Sequence, residues 1–167
     1  IYTLSLHDAL PISIYGQDIK YTVEEVGVEG YITTTKGNGT KKVTITNTKE
    51  THPVKINKTD LGGTEVEGAT IKVCDANGNE VESWESKAGE TFDLELAAGT
   101  YTLTEEAPAP GYQKIETAIT FTVDAEGNVT VEDVAVEPAG AVEYKDGVIV
   151  LKDALEKHTV KVNKTDL

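Results

Sequence analysis

Lys58, Glu105 and Asp153 are three residues whose types, if folding brings them together, could do covalent chemistry on one another. An amine nucleophile, a carboxyl acceptor and a second carboxyl to carry protons are the parts required for an amide between two side chains. In water a lysine stays protonated and inert. Burial disfavours the ammonium, by up to about 3 to 5 pKa units for a fully buried lysine, and it also favours a neutral carboxylic acid that can be attacked. The folded state supplies the effective concentration. Such a reaction runs once per molecule and releases water, or ammonia where asparagine is the acceptor, so the expectation is autocatalysis and not an enzyme.

Strands must position these residues. Successive strand residues point to opposite faces, so parity decides which side chains share a core. In the strand beginning near Val54, the residues Val54, Ile56 and Lys58 share a face; in YTLTE, Tyr101, Leu103 and Glu105 do; near the end, Ile149, Leu151 and Asp153 do. Each apolar stripe ends in an ionisable residue. Taken singly, each reads as a strand-end charge reaching water. Repetition sets them apart, because Tyr21, Val23 and Glu25 form an upstream stripe, Val43, Ile45 and Asn47 another, and Val160, Val162 and Lys164 a downstream one.

That repetition also divides the chain. HPVKINKTDL at His52–Leu61 returns as HTVKVNKTDL at His158–Leu167, an offset of 106 residues, which is about one domain length. Residues 52–157 are read as one complete module, 14–51 as the C-terminal part of a preceding module and 158–167 as the first strand of a following one. Residues 1–13 are set aside, because TLSLHDALPI at Thr3–Ile12 resembles one reading frame of a sequencing-library adapter. Within the complete module, short alternating runs are broken by turn signals every eight to twelve residues or so, the pattern of a sandwich or barrel. Strands are expected near Val54–Thr59, Ala69–Cys74, Glu80–Glu85, Thr91–Leu96, Gly99–Glu105, Ile115–Val123, Asn128–Val131 and Gly147–Lys152, with hairpin turns at Asn77-Gly78 and Glu126-Gly127-Asn128.

Composition agrees. The 167 residues hold 29 acidic against 15 basic side chains, a net charge of -14, which repels nucleic acid and anionic lipid. Few aromatics and no methionine suit an all-β chain with solvated outer faces. Cys74 is the one cysteine, so no internal disulfide can staple the fold. No run reaches transmembrane length and the opening residues do not read as a secretion signal, so neither anchor nor address is expected in this fragment.

Together KINKTD, LAAGTYTLTEEAPAPGY, ITFTV and VIVLKDA resemble the SpaA and Cna B-type (prealbumin-like) repeat modules of Gram-positive pilins and adhesins. The resemblance covers 53–157 whole, and about 15–50 and 158–167 in part. It implies an all-β, Ig-like or prealbumin-like β-sandwich in tandem modules. It also implies a Lys58–Asp153 isopeptide bond with Glu105 as proton relay. The family's glutamate stands seven residues before the Gly-Tyr tyrosine, which selects Glu105 over Glu106. Glu25 and Asn47 fall on the equivalent positions upstream, and Lys164 on the nucleophile's position downstream. Many members carry asparagine where this chain has Asp153, and the acidic stretch from Glu132 to Asp146 does not align.

Other signals are read as structural. Asp75-Ala-Asn-Gly-Asn resembles the opening of a calcium loop, but later carboxylate ligands are missing and Asn-Gly is a hairpin turn, so no metal and no cofactor is expected. Cys74 is read as a spectator, Trp84 as a core anchor, and His52 with His158 as an intermodule contact. The expected function is a stalk or spacer module of a cell-wall-anchored adhesin or pilin, outside the cell. Its expected partners are neighbouring modules of the same chain, with host extracellular matrix met through other domains, and neither nucleic acid nor membrane. The alternatives are a host-ligand-binding domain that presents loops to a protein or glycan, and a bond-free sandwich appended to an exported enzyme.

Overall fold

A computed structural model describes residues 13–40, 42–132 and 135–164. The chain is all-β, with no helix among the described residues. It divides into two compact units between Glu50 and Thr51.

The second unit is a two-sheet sandwich. Its strands are β5 (His52–Asp60), β6 (Thr70–Asp75), β7 (Glu80–Glu85), β8 (Phe92–Leu96), β9 (Gly99–Ala107), β10 (Ile119–Val123), β11 (Val129–Val131), β12 (Val142–Lys145) and β13 (Val148–Asp153). One sheet has the order β11-β10-β9-β6-β7 and the other β12-β13-β5-β8. All neighbours are antiparallel except β13 and β5, the last strand and the first, which run parallel. One core cluster joins the inner faces, built on Val54, Ile56, Ile71, Leu103, Phe121, Ile149 and Leu151 among others. Alternation places them there: in β10, Ile119, Phe121 and Val123 are buried while Thr120 and Thr122 are only half so.

Turns fix the registers. Asp75 Oδ1 accepts the backbone N–H groups of Asn77 and Asn79, and Oδ2 accepts Asn79 Nδ2. Asp124 repeats this arrangement with Glu126 and Asn128. The calcium-like string is thus an Asx turn whose carboxylate is taken up by the loop's own donors, which hold both aspartates below the usual carboxylate range.

Three expectations about this unit change. Ile115 to Ala118 lie outside any strand, and β10 begins only at Ile119. The acidic stretch that does not align contains β12, joined to β13 through Asp146-Gly147, whose φ values of 52° and 81° are those of a tight hairpin with two left-handed residues. His52 packs within its own unit: a Cβ added to Gly127 would stand 2.7 Å from His52 Nδ1.

The first unit contains two hairpins, β1 (Ser13–Ile14) with β2 (Gln17–Asp18), and β3 (Tyr31–Lys36) with β4 (Thr44–Lys49). In the stripe Tyr21, Val23, Glu25 the last two are half-buried and Tyr21 is exposed, and the segment joins no ladder among the described residues. In the second unit the matching residues lie on β9, between β6 and β10, and no described residues of the first unit provide such neighbours. Instead Asn38 bonds both the N–H and the C=O of Val23. Residues 156–164 likewise form no strand, and Val160 and Val162 are 81% and 89% exposed.

Candidate functional site

β5 and β9 are interior strands of the two sheets, and each delivers one member of the trio into the core. Lys58 follows Val54 and Ile56 on the buried face of β5, Glu105 follows Tyr101 and Leu103 on that of β9, and Asp153 follows Ile149 and Leu151 on that of β13. All three are buried, and Asp153 is 0% exposed. Burying even one charge without partners is prohibitive, so the geometry among them matters.

Lys58 Nζ hydrogen-bonds Asp153 Oδ1 and lies 3.0 Å from Glu105 Oε1. Glu105 Oε2 accepts the backbone N–H of Ile115 at 2.7 Å. Asp153 Oδ2 is buried and has no hydrogen-bond partner among the described residues. Glu105 Oε1 makes no well-directed hydrogen bond either, so its approach to the amine is an ion-pair contact at close range. Desolvation, partly opposed by Lys58 and reinforced by Glu105, pushes the Asp153 carboxyl up to about 6. A carboxyl with that affinity for protons is readily available as the neutral acid, the form that an amine attacks.

Neighbouring glutamates take opposite roles by alternation. Glu106 points outward, pairs with Lys72 at 2.7 Å and is held below the usual range by that bond. Sequence reading misses the Ile115 amide. Placed in a strand, its N–H would belong to a ladder; outside β10 it is free to hold Glu105, and the Pro-rich turn after Ala107 is the signal for that break.

In the first unit, Asn47 Nδ2 donates to Glu25 Oε1 at 2.9 Å, and Asn47 Oδ1 accepts from Thr33 Oγ1 at 2.8 Å. Glu25 Oε2 is buried without a hydrogen-bond partner among the described residues. Lys164 is exposed in the tail and lies in no strand. Cys74 is a half-buried free thiol on β6. Trp84 is half-buried, packs against the core and stacks on Phe92 with ring centroids 4.0 Å apart.

The SpaA prealbumin-like fold domain family matches residues 52–135, and the Cna protein B-type domain family matches residues 5–48. The first match contains Lys58 and Glu105 and ends before Asp153; the second contains Glu25 and Asn47. No curated protein matches the chain. Among solved structures, a C-terminal fragment of the pilus adhesin SpaC from Lactobacillus rhamnosus GG is similar, with TM-score 0.54 and 22% identity over 84% of this chain. The open conformation of that adhesin gives TM-score 0.52 and 24% identity over 80% of this chain. The chain spans 60% of the fragment and 18% of the adhesin. At these identities the likeness is one of fold. No helix among the described residues is long and apolar enough to cross a membrane. On the SpaA match, which covers half of its residues, the chain belongs to the family of SpaA prealbumin-like fold domains, which are structural modules and not enzymes.

Proposed function

We propose that residues 52–157 form a load-bearing stalk module of a cell-wall-anchored adhesin or pilin, closed by a spontaneous Lys58–Asp153 isopeptide bond. The observation that carries this reading is the buried Lys58 amine, hydrogen-bonded to Asp153 and 3.0 Å from Glu105. The neutral amine attacks Asp153 Cγ. Glu105 takes a proton from the nitrogen as the C–N bond forms and returns one to the leaving oxygen, which departs as water. The low-dielectric core strengthens each of these interactions, and the Ile115 amide keeps Glu105 aimed at the amine.

Topology gives the bond its use. It joins the first strand to the parallel last strand, so tension applied at the ends of the module passes through a covalent link and bypasses the 95-residue span between Lys58 and Asp153. The acidic surface suits an extracellular module whose contacts are the neighbouring modules of its own chain, with host matrix met elsewhere in the protein. Single-molecule pulling tests this. The module should withhold about 330 Å of the contour length that a free 95-residue span would release, and Lys58→Ala should restore it. Full extension of the wild type would contradict the reading.

A further inference from the structure

We infer that the cleft between β7 and β8 is the port through which the Lys58 site meets solvent, and that Glu65 is the positioning residue that latches the β7–β8 turn across it. This rests on the isopeptide chemistry proposed for Lys58 and Asp153, and adds the route by which water reaches and leaves that site.

β7 and β8 are edge strands of opposite sheets, so no ladder joins them on this side of the sandwich. A cleft of about 280 Å³ opens between them. Its lining runs from exposed Lys87, Glu90 and Thr91 to buried Ile56, Lys58 and Ile71. Glu105 and Asp153 do not line it, so the cleft leads to the amine and not to the carboxyls. The amine is nevertheless covered, with the Lys58 side chain only 2% exposed. Two features close the gap. Trp84 of β7 stacks on Phe92 of β8 with 5° between the ring planes, and residues 86–91 turn from one strand to the other.

That turn is fixed at both ends and loose between them. Ser86 is buried; its N–H donates to Ala69 O, its carbonyl accepts Gly68 N–H, and its Oγ accepts Ala69 N–H. At the other end Phe92 joins the ladder opposite Ile56. Residues 87–91 are exposed. Within the turn Glu90 N–H donates to Lys87 O, and the Lys87–Glu90 ion pair is solvated and contributes little. Among the described residues, one hydrogen bond ties 87–91 to another part of the chain: Gly89 N–H donates to Glu65 Oε2.

Glu65 is itself firmly placed. Asp60 Oδ1 accepts Thr64 N–H, Glu65 bridges Thr59, and Val66 N–H donates to Lys58 O, so this loop folds back on the strand that carries the amine. Glu65 Oε1 adds a longer contact of 3.5 Å with Asn57 Nδ2, and Asn57 Oδ1 accepts the backbone N–H of Lys58. The carboxylate thus joins the turn to the backbone beside Lys58. Closed, the turn keeps bulk water off the amine. Each release of the Gly89 bond uncovers the cleft and gives the water expelled by amide formation a way out. A single charge-assisted bond on an exposed loop breaks by local opening, far more often than the module unfolds.

The test uses the full chain in the Glu105→Gln background, where Lys58 stays an amine, with acetic anhydride as the probe. Peptide mass mapping compares acetylation of Lys58 with that of Lys55, which is exposed on the same strand. Adding Glu65→Ala should speed Lys58 acetylation about tenfold, the change in local opening that one lost hydrogen bond brings, and leave Lys55 unchanged. Glu65→Gln keeps an oxygen for Gly89 and should stay within about twofold of the parent. Lys58 acetylation that ignores Glu65→Ala, or that responds equally to Glu65→Gln, would overturn the latch. So would acceleration that rises in step with amide exchange at Leu103 and Phe121, because it reports global opening. The wild-type mass is read beside these. A mass short by one water with no effect of Glu65→Ala overturns the latch alone, whereas a full mass overturns the Lys58–Asp153 bond and leaves acetylation to decide the latch.

Discussion

Lys58 stands in register with Leu151, yet its amine bonds Asp153, two residues further along β13 on the same buried face. The diagonal reach spans two adjacent strands that are 95 residues apart in sequence. Closing a loop of that size removes unfolded-state entropy worth about 4 to 5 kcal/mol, by the arithmetic used for disulfides. Glu105→Gln, which removes the proton relay with little change of shape, should therefore lower Tm by roughly 15–40 °C. Calorimetry on the two proteins checks this, and a shift of a few degrees would contradict it.

The raised Asp153 carboxyl gives a pH signature. Its pKa is at about 6 in the fold and near ~3.9 in the unfolded chain; Glu105→Gln removes the smaller contribution of Glu105 but leaves desolvation, the largest cause, so the uncross-linked variant still holds this proton more tightly when folded. That contribution to stability is full below about pH 4 and lost as pH rises through about 6. The cross-linked protein has no such carboxyl. The Tm gap between wild type and Glu105→Gln should widen from about pH 4 to about pH 7; a gap that narrows would contradict the assignment.

Ile115 offers a test of how Glu105 is held. Among the described residues its N–H belongs to no sheet ladder and is bonded to Glu105 Oε2 at 2.7 Å. In Glu105→Ala the Ile115 amide should exchange with solvent at least about tenfold faster, the equivalent of losing a hydrogen bond worth about 1.4 kcal/mol. Amides of Phe121 and Leu103 serve as controls for global opening.

Gly127 and His52 make a coupled pair. Gly127 has φ 84°, and an added Cβ would meet the His52 ring. Gly127→Ala should cost about 1–2 kcal/mol for the left-handed backbone alone, plus the clash. Adding His52→Ala should recover the clash and leave the backbone cost, as a double-mutant cycle in urea would measure.

Much of this is legible in the sequence, for identifiable reasons. Parity along β5, β9 and β13 places Lys58, Glu105 and Asp153 on buried faces, because a period of two leaves little freedom once one apolar neighbour is inside. It also separates Glu105 from Glu106, which points out to Lys72. The hairpin signal Asp146-Gly147 stands in the sequence, but the acidic residues around it mask β12. The β-branched side chain of Ile115 argues for extending β10 to include it, whereas tertiary contact with Glu105 takes its amide out of the ladder. The Tyr21 to Glu25 segment has the sequence pattern of a strand, but its backbone bonds to the Asn38–Gly39 turn and not to a ladder among the described residues, and a strand is defined by its partners.

The mass of the intact monomer under denaturing conditions tests the central claim most directly, with wild type beside Lys58→Ala, Glu105→Gln and Asp153→Ala. The account predicts a wild-type mass short by one water and full calculated masses for all three variants. A full mass for the wild type would contradict it.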